Sequence, residues 1–471
     1  KFRTVRKNEM RGYANDDDSC RMETNTEAGK LDKKLKQLYG DDADMLVHQK
    51  KRYAAALDEF AKLYPQRKQV DIFSAPGRTE VGGNHTDHQH GCVLAAAVNL
   101  DVIAVVAFHR EGVIRLKSMG YSQIQVQLSD LSKKPEEEGT STALIRGIAA
   151  KFADMGVSLS GWDAYSTSEV LSGSGLSSSA AFEVLVGTII DQHDNGGKAG
   201  AVEIAKIGQY AENVYFGKQS GLMDQMVSSV GGFVWIDFAD TEKPVIQKHT
   251  FDFAQAGYCL CITDTKGSHA DLTPDYVAVP TEMKQVAAYF GKSVLREVSA
   301  EQFRKAIPRL RKTCSDRAIL RAAHFFAESE RATAEAKALE DGDLSAFFAL
   351  VRESGTSSAE LLQNLFSCQK PTEQAIPLGI WYSKQFLGEK GAVRVHGGGF
   401  AGTIQAFVPV EEAEAYCQCM NQLFGKGSCH KLSVRSDGRC QSFKLWKGAI
   451  AMRILVLAER LYRFPYGTGT G

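Results

Sequence analysis

The sequence predicts an α+β protein of two domains, on three observations. Its 471 residues, at about 150 residues per domain, allow two or three domains. Hydrophobic residues make up 44% and charged residues 24%, with only 11 Pro, the composition of a chain that buries a core rather than staying disordered. Apolar runs of strand character come first and are followed by strand–loop–helix patterns, as in mixed α+β domains.

Taken in order, residues 1–28 are polar and aperiodic and read as a flexible extension. From Leu31 to Leu63 the apolar residues recur at helical spacing, and Gly40-Asp41-Asp42 breaks them into two amphipathic helices. Val70 to Phe73 is a short strand, and the Gly/His-rich stretch from Ala75 to Gly91 reads as a loop. Val93 to Phe108 is a buried strand, while Val113–Leu116 and Ile124–Leu128 alternate with the period of half-buried strands. Thr142 to Met155 is helical, and Trp162 to Ser168 is a strand that leads through Leu171-Ser172-Gly173-Ser174-Gly175 into a helix near Ser177. A second set of strand signals starts at Gly231–Ile236 and continues at Tyr258–Ile262. Helices fill most of 280–365, and strands at 393–395 and Thr403–Val408 flank a Gly-rich loop. The expected division is 29–230 and 231–436, with an atypical tail at 437–471 whose stretch Lys447–Phe464 suits an extra amphipathic helix or sequence that never packs.

Composition excludes some classes. The 56 Lys+Arg balance the 56 Asp+Glu, without the basic excess of a protein that neutralises nucleic-acid phosphates. No run of about 18 uncharged apolar residues occurs, and the N-terminus lacks a signal-peptide core, so a soluble cytoplasmic protein without a membrane partner is expected. The ten Cys never form C-x-x-C and read as buried free thiols.

Four stretches carry chemistry. In Leu171–Ala181 a strand, a glycine-rich turn and a helix start follow one another, and three successive hydroxyls occupy Ser177, Ser178 and Ser179. Such a turn cradles an anion on the unpaired first amides of the helix, although a Ser N-cap accounts for part of the pattern. A P-loop is absent, since Gly291-Lys292-Ser293 has no Gly five residues earlier. The second stretch, Ser74 to Gly91, crowds hydrogen-bonding side chains between glycines, as recognition of several hydroxyls requires. Its His85, Asp87, His88 and His90 also echo a zinc-hydrolase motif, whose first ligand position falls on Gly83. The third is Gly221-Leu222-Met223-Asp224-Gln225, with Glu212 upstream; an Asp there is either a cap or a base. The fourth, His396–Gly402, has enough Gly for close backbone approach to a ligand.

In this order, from about Leu31 to Arg435, the stretches resemble the galactokinases of the GHMP sugar-kinase family. The second resembles the signature G-R-x-N-x-x-G-E-H-x-D-Y, the first the G-L-S-S-S-A loop, and the fourth the G-G/A-G-F-G/A-G loop. Residues 264–276, Asp-Thr-Lys-Gly-Ser-His-Ala-Asp-Leu-Thr-Pro-Asp-Tyr, fill the place of a sugar-contacting Tyr segment. The resemblance implies a two-domain GHMP fold with its active site in the cleft between domains, and ATP-dependent phosphorylation of galactose at the C1 hydroxyl. It implies Asp224 and Arg78 as catalytic residues, and Asn84, His85, Asp87 and Tyr276 as sugar contacts. It also implies Gly173, Ser174, Gly175, Leu176, Ser177, Ser178 and Ser179 around the ATP phosphates, and Ser178 and Glu212 as Mg²⁺ ligands. The partners expected are a small-molecule sugar and ATP, with the protein a monomer.

The chain departs from the signature at three positions: Glu80 replaces Asn, Asn84 replaces Glu and His88 replaces Tyr. Loss of a charge at 84 makes a uronic acid such as galacturonate an alternative substrate. A non-catalytic sugar-binding regulator and, more remotely, a zinc hydrolase are the readings from other classes.

Overall fold

The structure, a computed structural model, describes residues 31–170, 175–268 and 272–446. The expected stretch 447–464 therefore lies outside the described residues, as do Gly173 and Ser174.

Helix α1 (residues 31–39) and α2 (Ala43–Leu63) form as expected, and the Asp42 side chain caps α2 by accepting from the Met45 amide. Strand β1 (Gln69–Gly82) is far longer than the expected strand at 70–73 and runs through half of the stretch read as a loop. Its pairing with β2 (Cys92–His109) explains this. Pro76 and Gly82 are accommodated where the register shifts, between Pro76 and Arg78 and between Glu80 and Gly82, since bulges tolerate residues that disrupt a regular ladder.

Strands β3 (Val113–Ser118), β4 (Ile124–Gln127) and β5 (Gly161–Ser168) follow, with α3 (Ser141–Asp154) between β4 and β5. The path of the first sheet is β12-β1-β2-β5-β3-β4, where β12 is Cys440–Trp446. Strand periodicity divides its faces. Ile72, Ile103 and Val105 pack with α1 and α2, whereas the neighbouring Phe73, Ala104 and Val106 join the main core with α3 and α4 (Ser178–Asp194).

The expected domain boundary is corrected by the sheets. Strand β6 (Phe233–Asp237) pairs with β2, and β7 (Val245–His249) pairs with β6, so both extend the first sheet beyond residue 230. The segment 440–446, expected in the tail, returns to pair with β1. Only β8 (Tyr258–Asp264) opens the second sheet, ordered β11-β8-β10-β9 with β9 at Ala392–His396, β10 at Thr403–Pro409 and β11 at Cys429–Leu432. Between them in sequence come α5 (Gly200–Tyr210), α6 (Met223–Val230), α7 (Thr273–Tyr289), α8 (Ala300–Leu310), α9 (Asp316–Asp341), α10 (Leu344–Ser357), α11 (Ala375–Leu387) and α12 (Ala413–Phe424). Among the described residues no helix is long and apolar enough to cross a membrane.

Candidate active site

Strand β1 supplies the floor of the site. Arg78 and Glu80 alternate with Thr79, and the first two line a cavity of about 270 Å³. Gly77 lets the residue 175–176 turn come close: a Cβ there would sit 2.9 Å from the Leu176 carbonyl, which accepts from the Arg78 amide at 3.1 Å. Arg78 Nη1 also donates to the Gly175 carbonyl. The turn and β1 are thus locked together before any ligand arrives.

The first turn of α6 brings in Asp224. Arg78 Nε donates to Asp224 Oδ1 at 2.8 Å, and Ser177 Oγ donates to Oδ2 at 2.5 Å. Burial by itself would raise this carboxyl, but the guanidinium charge and the two donors outweigh it and hold Asp224 below the usual carboxylate range. Ser177 stands at the N-cap position of α4 with a left-handed φ of 56°, and its side chain does not cap the helix. With that hydroxyl committed to Asp224, the first amides of α4 keep their capacity for an anion. The expected association of residues 78, 224 and 175–177 is present in the geometry.

Glu212 is buried and accepts from Lys218 Nζ at 3.0 Å, Ser220 Oγ at 2.5 Å and Gln225 Nε2 at 2.9 Å. Gln225 Nε2 also donates to Glu183 Oε2 at 2.9 Å. Burial, reinforced by the charge of Glu212, pushes the Glu183 carboxyl well up, and its Oε1 is buried without a hydrogen-bond partner. Two carboxyl groups bridged by one amide, one of them with an unpaired oxygen, offer hard oxygen donors of the kind a divalent cation takes.

The turn after β1 holds Asn84, His85, Asp87 and His88, all on the cavity wall. Gly221 makes room for Asp87, whose Oδ2 would lie 2.9 Å from a Cβ at 221. Asn84 is saturated on its amide side: Nδ2 donates to Glu80 Oε1 and to the Gly397 carbonyl, each at 2.7 Å, and Oδ1 accepts from Asn364 Nδ2 at 2.9 Å. Glu80 Oε1 also receives Arg394 Nη2 at 3.2 Å. The carboxylate absent at 84 is therefore present four residues earlier, in the same cavity, paired with the amide. Sequence reasoning noted both departures but did not list Glu80 as a site residue; their reciprocity was the available signal. Arg394, Asn364 and Glu328, which accepts from the Gly83 amide at 3.1 Å, were also missed. They come from a distant strand, loop and helix with no local motif.

Tyr276 stands against the Gly-rich loop: its hydroxyl donates to the Gly399 carbonyl at 2.8 Å and its ring packs edge-on to Phe400. The Gly-rich loop likewise approaches protein: a Cβ at Gly399 would lie 2.2 Å from the Asn364 carbonyl, and one at Gly398 2.8 Å from the Tyr276 ring. The geometry does not support the zinc-hydrolase reading: His85 Nε2 is 2.9 Å from the Gly398 carbonyl. Among the described residues the one convergence of three or more His, Cys, Asp or Glu donors is elsewhere.

Comparison with known proteins agrees with this geometry. Residues 58–108 match the galactokinase galactose-binding signature, and residues 143–232 match the GHMP kinases N terminal domain. A crystal structure of Lactococcus lactis galactokinase complexed with galactose superposes with a TM-score of 0.69 at 22% identity, covering 82% of this chain and 98% of that one. The galactokinase of Streptomyces coelicolor is 29% identical over 367 residues, 78% of this chain and 92% of the relative. The galactokinase of Glaesserella parasuis is 30% identical over 365 residues, 76% of this chain and 90% of the relative, and with that likeness joined to the Arg78–Asp224 cleft, the chain belongs to the galactokinase family of GHMP kinases.

Proposed function

We propose that this chain transfers the terminal phosphoryl group of ATP to the C1 hydroxyl of galactose, giving galactose 1-phosphate and ADP. The observation that carries the reading is the Asp224 carboxylate gripped by Arg78 and Ser177 beside a monosaccharide-scale cavity.

A carboxylate kept ionised by a neighbouring guanidinium is a weak base, so its main work is to orient the sugar hydroxyl. The hydroxyl oxygen bonds to phosphorus as the bond to ADP breaks, and its proton passes toward Asp224 only as that bond forms. Arg78 offsets the charge gathering on the moving phosphoryl group. Gly175, Leu176, Ser177, Ser178 and Ser179 receive the nucleotide phosphates at the start of α4, and Gly173 and Ser174 are assigned there by resemblance alone. Ser178 and Glu212 would hold Mg²⁺, which when bound neutralises phosphate charge; the unpaired Glu183 oxygen beside Glu212 supports a cation site. His85 and Asp87 provide hydrogen-bonding groups for sugar hydroxyls. Asn84 acts through Glu80, which it holds in place.

The galacturonate alternative rested on a missing charge at 84. Glu80, bonded to Asn84 at 2.7 Å, returns a carboxyl to that wall and removes the physical motive. The deciding experiment measures ADP release with galactose, galacturonate, glucose and N-acetylgalactosamine. Galactose is expected to give the highest kcat/KM; a higher value for galacturonate overturns the assignment, as does ADP release that no sugar stimulates.

A further inference from the structure

The second sheet and α12 bury a group of thiols away from the cleft. Cys261 comes from β8, Cys417 from α12 and Cys429 from the start of β11. Their sulfurs lie within 4.8 Å of one another, with Cys417 Sγ 4.0 Å from Cys261 Sγ and 3.4 Å from Cys429 Sγ. A zinc ion that holds thiolates at about 2.3 Å spaces their sulfurs about 3.8 Å apart in a tetrahedron. The three side chains already stand near that spacing, although two of them are 156 residues apart in sequence.

The surroundings fit a thiophilic ion. Thr263 is paired with Cys429 in the strand register and is wholly buried. Its hydroxyl is a neutral oxygen beside the thiols.

We propose that Cys261, Cys417 and Cys429 form a structural site for Zn²⁺ that ties α12 to β8 and β11. Binding replaces the three S–H protons, which leave to solvent, and gives a three-thiolate centre of net charge −1 near Lys431. Soft sulfur ligands select this class of ion over Mg²⁺, so the site is separate from the one that would serve ATP.

The test uses the full chain, purified without chelators or immobilised metal. Elemental analysis is expected to find about one zinc per chain, released when a mercurial modifies the thiols. Replacement by Co²⁺ is expected to give a thiolate-to-cobalt charge-transfer band. Folded Cys417→Ser or Cys429→Ser protein is expected to lose the metal, whereas Cys419→Ser, on the same helix but outside the trio, keeps it. Where the serine variants fail to fold, the wild-type metal content and cobalt spectrum decide. Metal-free protein that takes up neither zinc nor cobalt overturns the proposal, as does copper as the bound ion or full zinc retention in folded Cys417→Ser.

Discussion

At the Asp224 end of the cleft the carboxylate is ionised and partly open, while at the Glu80 end the carboxyl is sealed among its partners. The Asp224 side chain is 33% exposed and held below the usual carboxylate range. The Glu80 side chain is 9% exposed, and burial raises its carboxyl despite the opposing charges of Arg394 and Arg78. Both carboxylates face arginines, so charge pairing alone does not set the sign; the balance between desolvation and direct donors does. The open end is suited to a changing charge during reaction, and the sealed end to a fixed pattern of sugar contacts.

The largest test of that contrast is Asp224→Asn, expected to cut turnover by at least about 100-fold while galactose binding, read by calorimetry, persists. Arg78→Met is expected to lose about 100-fold or more in kcat, with nucleotide binding weakened less. Near-normal turnover in either variant breaks the assignment of the open end. At the sealed end, Glu80→Gln is expected to raise the galactose KM about tenfold with kcat nearly unchanged, the scale of one charge-assisted hydrogen bond; a fall in kcat at constant KM would place Glu80 in the chemistry instead. Ser177→Ala removes one of the donors to Asp224 and should lower kcat/KM by about fivefold.

The smallest effect is on pH dependence. Because Asp224 is depressed below its unfolded value of about 3.9, its contribution to stability is present above that value and lost as pH falls through the depressed one. The kcat/KM profile should therefore show no inflection from Asp224 between about pH 5 and 8. An inflection in that range that disappears in Asp224→Asn would show the carboxyl to be raised.

The strands at 93–108, 113–116 and 124–128 and the helices at 31–63 were legible because their apolar periods record which face is buried. Strand β1 was not, because Pro76, Gly77 and Gly82 argue locally for a loop and only pairing with β2 makes the strand. The membership of β6 and β7 in the first sheet was hidden for the same reason: hydrogen-bond partners are not encoded in a strand's own residues. In the site, Arg78, Asp224 and the serine-rich turn carried local signatures. The hydrogen bond from the Tyr276 hydroxyl to the Gly399 carbonyl had no local signal, because it joins residues 123 apart in the chain.

By itself the sequence determined the α+β class and the position of the anion-binding turn, since backbone freedom and residue chemistry are local properties, whereas the pair at 78 and 224 was named through the family resemblance. The tertiary structure decided that Glu80 and Asn84 share one hydrogen bond, that β12 returns to the first sheet, and that three distant cysteines meet. These depend on long-range packing, in which residues far apart in the chain share one buried volume.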